Sequence, residues 1–453
     1  MRSSRQVTPL TSSPPLHTRP PLQPARAAIL QLSYAALGNL ARLGAMVAPG
    51  GGGKTLRAFR ARRGIRARYA EWGRHGRDAR KALLWVHAPS VGEGLQARPV
   101  LERMRVARPE LQLAYTHFSP SAERFAHSLG ADFTDYLPFD TTGDARAALV
   151  ALRPRALVFS KLDVWPMLVR EAAARGVRLG LISATLAEGS GRRGGFAAAL
   201  LSEAYGRLDA VGAIDAGDAE RLVQLGVRRA AISVTGDTRY DQVWALAQEV
   251  DRAGPLLAPL DNGRPTFVAG STWPPDERAL LAAWSEVRRT IPDARLVIAP
   301  HEPVSAHLVP IEQWAADSGA RIARLGVPNA GDADVVLVDR VGVLGKLYAL
   351  GDAAFVGGGF HTAGLHSVLE PAAYGAPVIF GPHFHASRDA RLLVAADGGV
   401  AVSGSSEIAE HIIQWFTNHV ARDEAGARAR ALVVGGLGAA ERSAALVEKL
   451  LDD

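Results

Sequence analysis

Residues 83–118 read LLWVHAPSVGEGLQARPVLERMRVARPELQLAYTHF. The runs LLWVHA and LQLAYTHF are short and apolar, while Leu95, Val100, Leu101 and Met104 between them recur on a helical period. Strand, crossover helix and strand make a βαβ unit, which builds a parallel sheet. The alternation continues through ALVFS (156–160), RLGLISA (178–184), DAVGAID (209–215) and AISVTG (231–236). After a weaker stretch at Ala253–Arg264 a second series begins: TFVAGS (266–271), RLVIAP (295–300), VVLVD (335–339), AAFVGGG (353–359) and PVIFG (377–381). Two consecutive α/β domains are therefore predicted, over residues 82–252 and 253–453.

The chain has 453 residues, 48% hydrophobic and 21% charged, enough for two buried cores. It contains no cysteine, which excludes disulfides, thiolate metal sites and a cysteine nucleophile. Its charge is uneven: residues 1–81 hold 16 Lys and Arg against two acids, and the remainder holds 36 against 43. A basic arm on a mildly acidic globule predicts attraction to a polyanion. Residues 1–25, rich in Pro, Ser and Thr, are predicted to be a disordered extension. Residues 26–81 form the arm proper. Within it Ala27–Ala48 is an apolar run interrupted by Gln31, Asn39 and Arg42, long enough to span a bilayer but marked as an interfacial helix by those polar residues. The basic flank Lys54–Lys81 predicts a cytoplasmic side. Aromatic stacking platforms for single-stranded nucleic acid are missing from the arm, so the partner predicted is an anionic membrane surface.

Several motifs carry little chemistry. GGGGKT (50–55) lacks the first P-loop glycine, having Ala48 there, and no strand precedes it. Asp332 and Asp334 form a DxD read as an exposed turn, and the histidines show no zinc spacing, so neither metal nor cofactor is predicted. The segment FVGGGFHTAGLHSVLEPAAYGAPVIFGP (355–382) carries more. Its glycines, Gly358 and Gly359 among them, allow close backbone approach, and a helix opening near His366 or Ser367 would present N–H groups to a phosphate. Glu370, one turn inside, would accept hydrogen bonds from ribose hydroxyls. Glu93 enters a helix directly after an apolar strand, where it can serve as a helix cap or deprotonate a hydroxyl.

With these segments the sequence resembles the bacterial Kdo (3-deoxy-D-manno-octulosonic acid) transferases, from about Leu30 to the C-terminus. The resemblance rests on WVHAPSVGEG, FSKLDVWP, SVTGDTRYD, GSTWPPDE, VIAPHEP and LEPAAYGAPVIFGP in that order. It implies the GT-B fold: two Rossmann-like domains facing a central cleft, with an N-terminal membrane-associated helix. It also implies a catalytic base at Glu93, a transition-state-stabilising acid at Asp163 and a catalytic cation at Arg239. On the donor side it implies CMP binding by Ser271, Thr272, His301, Glu302, Val341, Gly342, Val343, Gly358, Gly359, Ser367, Val368, Leu369 and Glu370. Asp163 stands where the family has a longer acid, His301 replaces an arginine and Val343 replaces a glutamate.

The reaction implied is inverting transfer of Kdo from CMP-Kdo to a lipid A precursor in lipopolysaccharide core biosynthesis, at the cytoplasmic face of the inner membrane. Glu370 and the glycine turn suit a UDP-sugar enzyme equally well. The substitutions at 163, 301 and 343 also suit a non-catalytic nucleotide- or lipid-binding relative.

Overall fold

The computed structural model describes residues 33, 34, 36, 38–40, 42–44, 53–187, 195–362 and 364–452. The segment 1–25 and the glycines Gly50–Gly52 lie outside the described residues. The described positions of the apolar run are helical, with Leu40 and Leu43 exposed. Among the described residues no helix is long and apolar enough to cross a membrane.

The first sheet has strands β1 (Leu83–His87), β2 (Gln112–His117), β3 (Phe133–Tyr136), β4 (Ala156–Ser160), β5 (Arg178–Ala184), β6 (Ala210–Ala213) and β7 (Ile232–Val234). Their order is β3-β2-β1-β4-β5-β6-β7, and every pairing is parallel. Leu84 in β1 lies between Leu113 in β2 and Ala156 in β4. All residues of β1, β2 and β4 are buried, the state a parallel sheet covered on both faces requires. Leu83, Trp85, Leu157 and Phe159 share one core cluster with Ile65, Tyr69, Leu149 and Leu168 from flanking helices. Thr141 accepts the N–H of Asp144 and so caps the helix Thr142–Leu152.

The helices Lys54–Ala61 and Ile65–His75 belong to this body, since Ile65 and Tyr69 are core residues. The arm is therefore not uniformly a solvated basic face. Buried Arg62 donates to the carbonyls of Leu137 (2.8 Å) and Ala58 (2.6 Å). Arg68 pairs with Asp135 at 2.7 Å, and Arg66 with Asp144.

The second sheet has β8 (Thr266–Thr272), β9 (Arg295–Pro300), β10 (Ile322–Arg324), β11 (Val335–Leu337), β12 (Ala353–Val356), β13 (Val378–Phe380) and β14 (Gly399–Ala401). The order is β10-β11-β9-β8-β12-β13-β14, again parallel throughout. Phe267, Ile298 and Phe355 pack with Trp284 from the helix Pro274–Thr290. Two compact units result: 1–91, 110–234 and 446–453 in one, 92–109 and 235–445 in the other. The helix Thr238–Glu249 thus goes with the second unit, ahead of the weakly patterned Ala253–Arg264 stretch. Asp334 is a buried ion-pair hub rather than an exposed turn, bonded to Arg321 (2.7 Å), Arg264 (3.3 Å) and Arg288 (3.4 Å).

Candidate active site

The strand order reverses between β1 and β4 in the first sheet and between β8 and β12 in the second. Beyond the carboxyl ends of strands at such a reversal the flanking crossovers diverge and leave a crevice for ligand.

At the first reversal, fully buried His87 ends β1 and Asp163 follows β4 after Lys161, whose φ is 66°. His87 Nε2 lies 3.3 Å from Asp163 Oδ2, and the Trp165 indole N–H donates to the same oxygen at 3.0 Å. His87 Nδ1 lies 3.0 Å from the carbonyl oxygen of Thr116. Trp165 stacks on Phe118 with ring centres 5.7 Å apart, and Phe118 lies 4.1 Å beneath the Arg62 guanidinium. Next to this group the Asp140 carboxylate accepts the N–H groups of Met167 (3.0 Å) and Leu168 (2.8 Å) and the Tyr34 hydroxyl (2.8 Å). Burial pushes the Asp140 carboxyl up to about 6 in spite of these donors.

Glu93 stands in the first turn of the helix Val91–Ala107, which leaves β1, and is half-buried. That helix goes with the second unit, where the Thr238 hydroxyl donates to the Gln96 carbonyl at 2.7 Å. Arg239 is held between two buried acids, 2.5 Å from Asp237 and 2.8 Å from Asp389. Burial disfavours its charge, but Asp237 and Asp389 more than compensate and raise its pKa.

At the second reversal β8 ends in Ser271, whose φ is 54°, and Thr272. Thr272 is buried: its hydroxyl donates to Glu277 at 2.9 Å and its carbonyl accepts the N–H of His301 at 2.9 Å. It supports the site instead of presenting a group to ligand. Past β12, a Cβ on Gly357 would stand 2.2 Å from the Ser271 carbonyl oxygen, so only glycine fits. The N–H groups of Gly358 (2.8 Å) and Phe360 (3.0 Å) donate to buried Asp276. The sequence pattern gives no sign of this anchor, because it acts across 82 residues.

The helix expected from His366 or Ser367 is shorter, Leu369–Ala373, and the His366 N–H turns back to the Gly357 carbonyl at 3.1 Å. Five residues supply little macrodipole, which corrects the phosphate-binding helix N-terminus read from the sequence. Ser367 is half-buried, and Val368 and Leu369 are core residues. The Glu370 carboxyl is withdrawn from solvent, which pushes it up to about 7. The His301 ring stacks against both Trp273 and His366, with centres 4.7 Å and 4.4 Å away. Trp273 Nε1 lies 3.2 Å from His366 Nε2, and burial followed by the neighbouring His301 lowers His366 to about 4. Glu302 is exposed, as are Val341 and Gly342, while Val343 packs against the Leu347–Leu350 core. Among the described residues no grouping of three or more His, Asp or Glu is placed to hold a metal.

Two doubly wound parallel domains, with polar side chains gathered beyond the β1/β4 and β8/β12 strand ends, define the GT-B fold. The fold is shared by the UDP-GlcNAc 2-epimerase from Neisseria meningitidis bound to UDP-GlcNAc (TM-score 0.58, 14% identity, 82% of this chain and 100% of that one). Residues 59–242 match the family model described as 3-deoxy-D-manno-octulosonic-acid transferase (kdotransferase). A 3-deoxy-D-manno-octulosonic acid transferase from Bordetella pertussis is 30% identical over 84% of this chain and 91% of its own. One from Haemophilus influenzae is 26% identical over 88% and 94%. The chain belongs to the 3-deoxy-D-manno-octulosonic acid transferase family.

Proposed function

We propose that this enzyme transfers Kdo from CMP-Kdo to a lipid A precursor of the lipid IVA type, with inversion, at the cytoplasmic face of the inner membrane. The observation that carries the reading is the place of Glu93, in the first turn of the helix leaving the reversal strand β1, in a chain of this family. Glu93 takes the proton of an acceptor hydroxyl, and that oxygen attacks the anomeric carbon. The bond to the phosphate oxygen breaks and CMP leaves with the electron pair. Asp163 steadies the positive character developing on the sugar, and Arg239 offsets phosphate charge.

Residues 82–252 are assigned to the acceptor and 253–453 to the donor. There Ser271, His301, the turn at Gly358 and Gly359, and Ser367 serve the phosphate, while Glu370 serves the ribose. Glu302, Val341–Val343, Val368 and Leu369 frame the nucleotide, with Thr272 behind them. Exposed Leu40 and Leu43 and the exposed basic residues Arg57, Arg63 and Arg74 suit an anionic membrane surface. The test is incubation with CMP-Kdo and lipid IVA followed by mass analysis of the lipid. A Kdo increment on the lipid with release of CMP is expected, and turnover of a UDP-sugar in place of CMP-Kdo would overturn the assignment.

A further inference from the structure

The environment of His87 points beyond these assignments. A carbonyl oxygen only accepts, so the 3.0 Å contact between Nδ1 and the Thr116 carbonyl puts a hydrogen on Nδ1. The Thr116 hydroxyl, which accepts the Trp85 indole N–H at 2.9 Å, lies 3.1 Å from the same nitrogen, slightly farther than the carbonyl. In a neutral ring with hydrogen on Nδ1, Nε2 would carry a lone pair facing a carboxylate oxygen at 3.3 Å. The Trp165 N–H cannot relieve this contact well. It lies 3.0 Å from Asp163 Oδ2 and 3.3 Å from Nε2, so one hydrogen would serve two acceptors. A second proton on His87 makes both ring nitrogens donors, Nδ1 to the Thr116 carbonyl and Nε2 to Asp163, and leaves the Trp165 N–H to Asp163 alone.

The surroundings agree with this state. His87 has Thr116 on one edge, Asp163 and Trp165 on the other, and the ring of Phe159 against its face. Asp163 acts electrostatically on Asp140, so two carboxyl groups lie on this side, and the Arg62 guanidinium stands beyond Trp165 over the ring of Phe118. His87 is wholly buried, whereas the Asp163 side chain is 25% exposed. Only the acid can reach a substrate.

We propose that His87 is a positioning residue for Asp163: as an imidazolium, fixed by the Thr116 carbonyl, it holds the carboxylate ionised and aimed outward at the end of β4, with Trp165 as second donor. This rests on the reading of Asp163 as the acid that steadies the transition state. It also accounts for an acid one methylene shorter than the family pattern, because two donors fixed by the core set the position of its oxygen.

The test combines spectroscopy and kinetics on the full chain. With ¹⁵N-labelled histidine, the His87 resonances, assigned by their loss in His87→Gln, should show both ring nitrogens protonated at pH 7. They should revert to a neutral ring in Asp163→Asn. In transfer assays His87→Gln should lower kcat by about 10²-fold with both KM values nearly unchanged. In the Asp163→Asn background the same change should cost nothing further, because His87 acts through Asp163. A neutral ring in the wild type, or equal losses from His87→Gln in both backgrounds, would overturn the proposal. Should His87→Gln fail to fold, the histidine resonance that changes between wild type and Asp163→Asn identifies His87, and its protonation state in the wild type decides alone. A fully active Asp163→Asn with the imidazolium signature intact in the wild type would refute the role of Asp163 and leave the pair standing.

Discussion

The carboxylate of Asp276 accepts the N–H of Gly358 at 2.8 Å, tying the first turn of the helix Pro274–Thr290 to the glycine turn beyond β12. A second oxygen takes the Phe360 N–H at 3.0 Å, so one buried side chain sets the turn. Asp276→Ala leaves three amides without this partner, those of Trp273, Gly358 and Phe360, at a cost of about 1–3 kcal/mol for each that stays buried. Donor affinity should fall more than that of Asp276→Asn, whose amide oxygen in the place of Oδ2 still accepts from Trp273 and Gly358. Thermal melts and CMP titration of both variants check this.

Glu370 makes stability depend on pH in a stated direction. Its folded pKa of about 7 lies above the ordinary 4.5, so the folded chain holds a proton that the unfolded chain releases between these values. The stability from the protonated form is therefore complete below about pH 4.5 and lost as pH rises through 7. Glu370→Gln should melt near the wild-type temperature at pH 4 and above it at pH 8. CMP affinity should show the opposite benefit, since the carboxylate is the better acceptor for ribose. In the wild type it should tighten from pH 6 to 8, and in Glu370→Gln stay flat.

Arg239 neutralises Asp237 and Asp389, whose side chains are 2% and 6% exposed. Removing it in Arg239→Ala strands two buried acids. A loss of about 2–4 kcal/mol is expected, below the cost of breaking a fully buried pair because Arg239 itself is 36% exposed. Arg239→Lys keeps the charge without the fork and should recover about half. Urea melts give the stability. Transfer rates per folded molecule then show whether the cation also serves the phosphate.

On the proposed reading the basic arm holds surface-binding and structural arginines that substitution can separate. Charge reversal at exposed Arg57, Arg63 and Arg74 should weaken binding to anionic vesicles by about 1 kcal/mol per residue, with little change in melting temperature. Arg62→Ala should do the reverse, costing about 2–3 kcal/mol of stability, because Arg62 bonds the Leu137 and Ala58 carbonyls and covers Phe118. Vesicle sedimentation and melting curves on both variants check the division.

The central strands were legible because burial on both faces leaves uninterrupted apolar runs such as LLWVHA and RLVIAP. Strands β3, β10 and β14 were not, being three or four residues long at or near a sheet edge and partly exposed. The glycine turn was legible from Gly357–Gly359, but not the length of the helix after it, since the turn of His366 back to Gly357 is tertiary. His87 and Asp276 do not read as site residues in the sequence for a related reason. Each touches its partners only after strands distant in sequence become neighbours, so no spacing rule exposes them.

The proposed mechanism depends on Glu93 as base, and the rate of Kdo transfer by Glu93→Gln measures that role most directly. The substitution keeps size and hydrogen bonding but removes the capacity to take a proton. With CMP-Kdo and lipid IVA, and with CMP affinity unchanged, turnover should fall by about 10²- to 10⁴-fold. If Glu93 only caps the helix Val91–Ala107, the change costs about 1 kcal/mol of stability or less. A folded Glu93→Gln enzyme that binds CMP and transfers Kdo at the wild-type rate would contradict the mechanism.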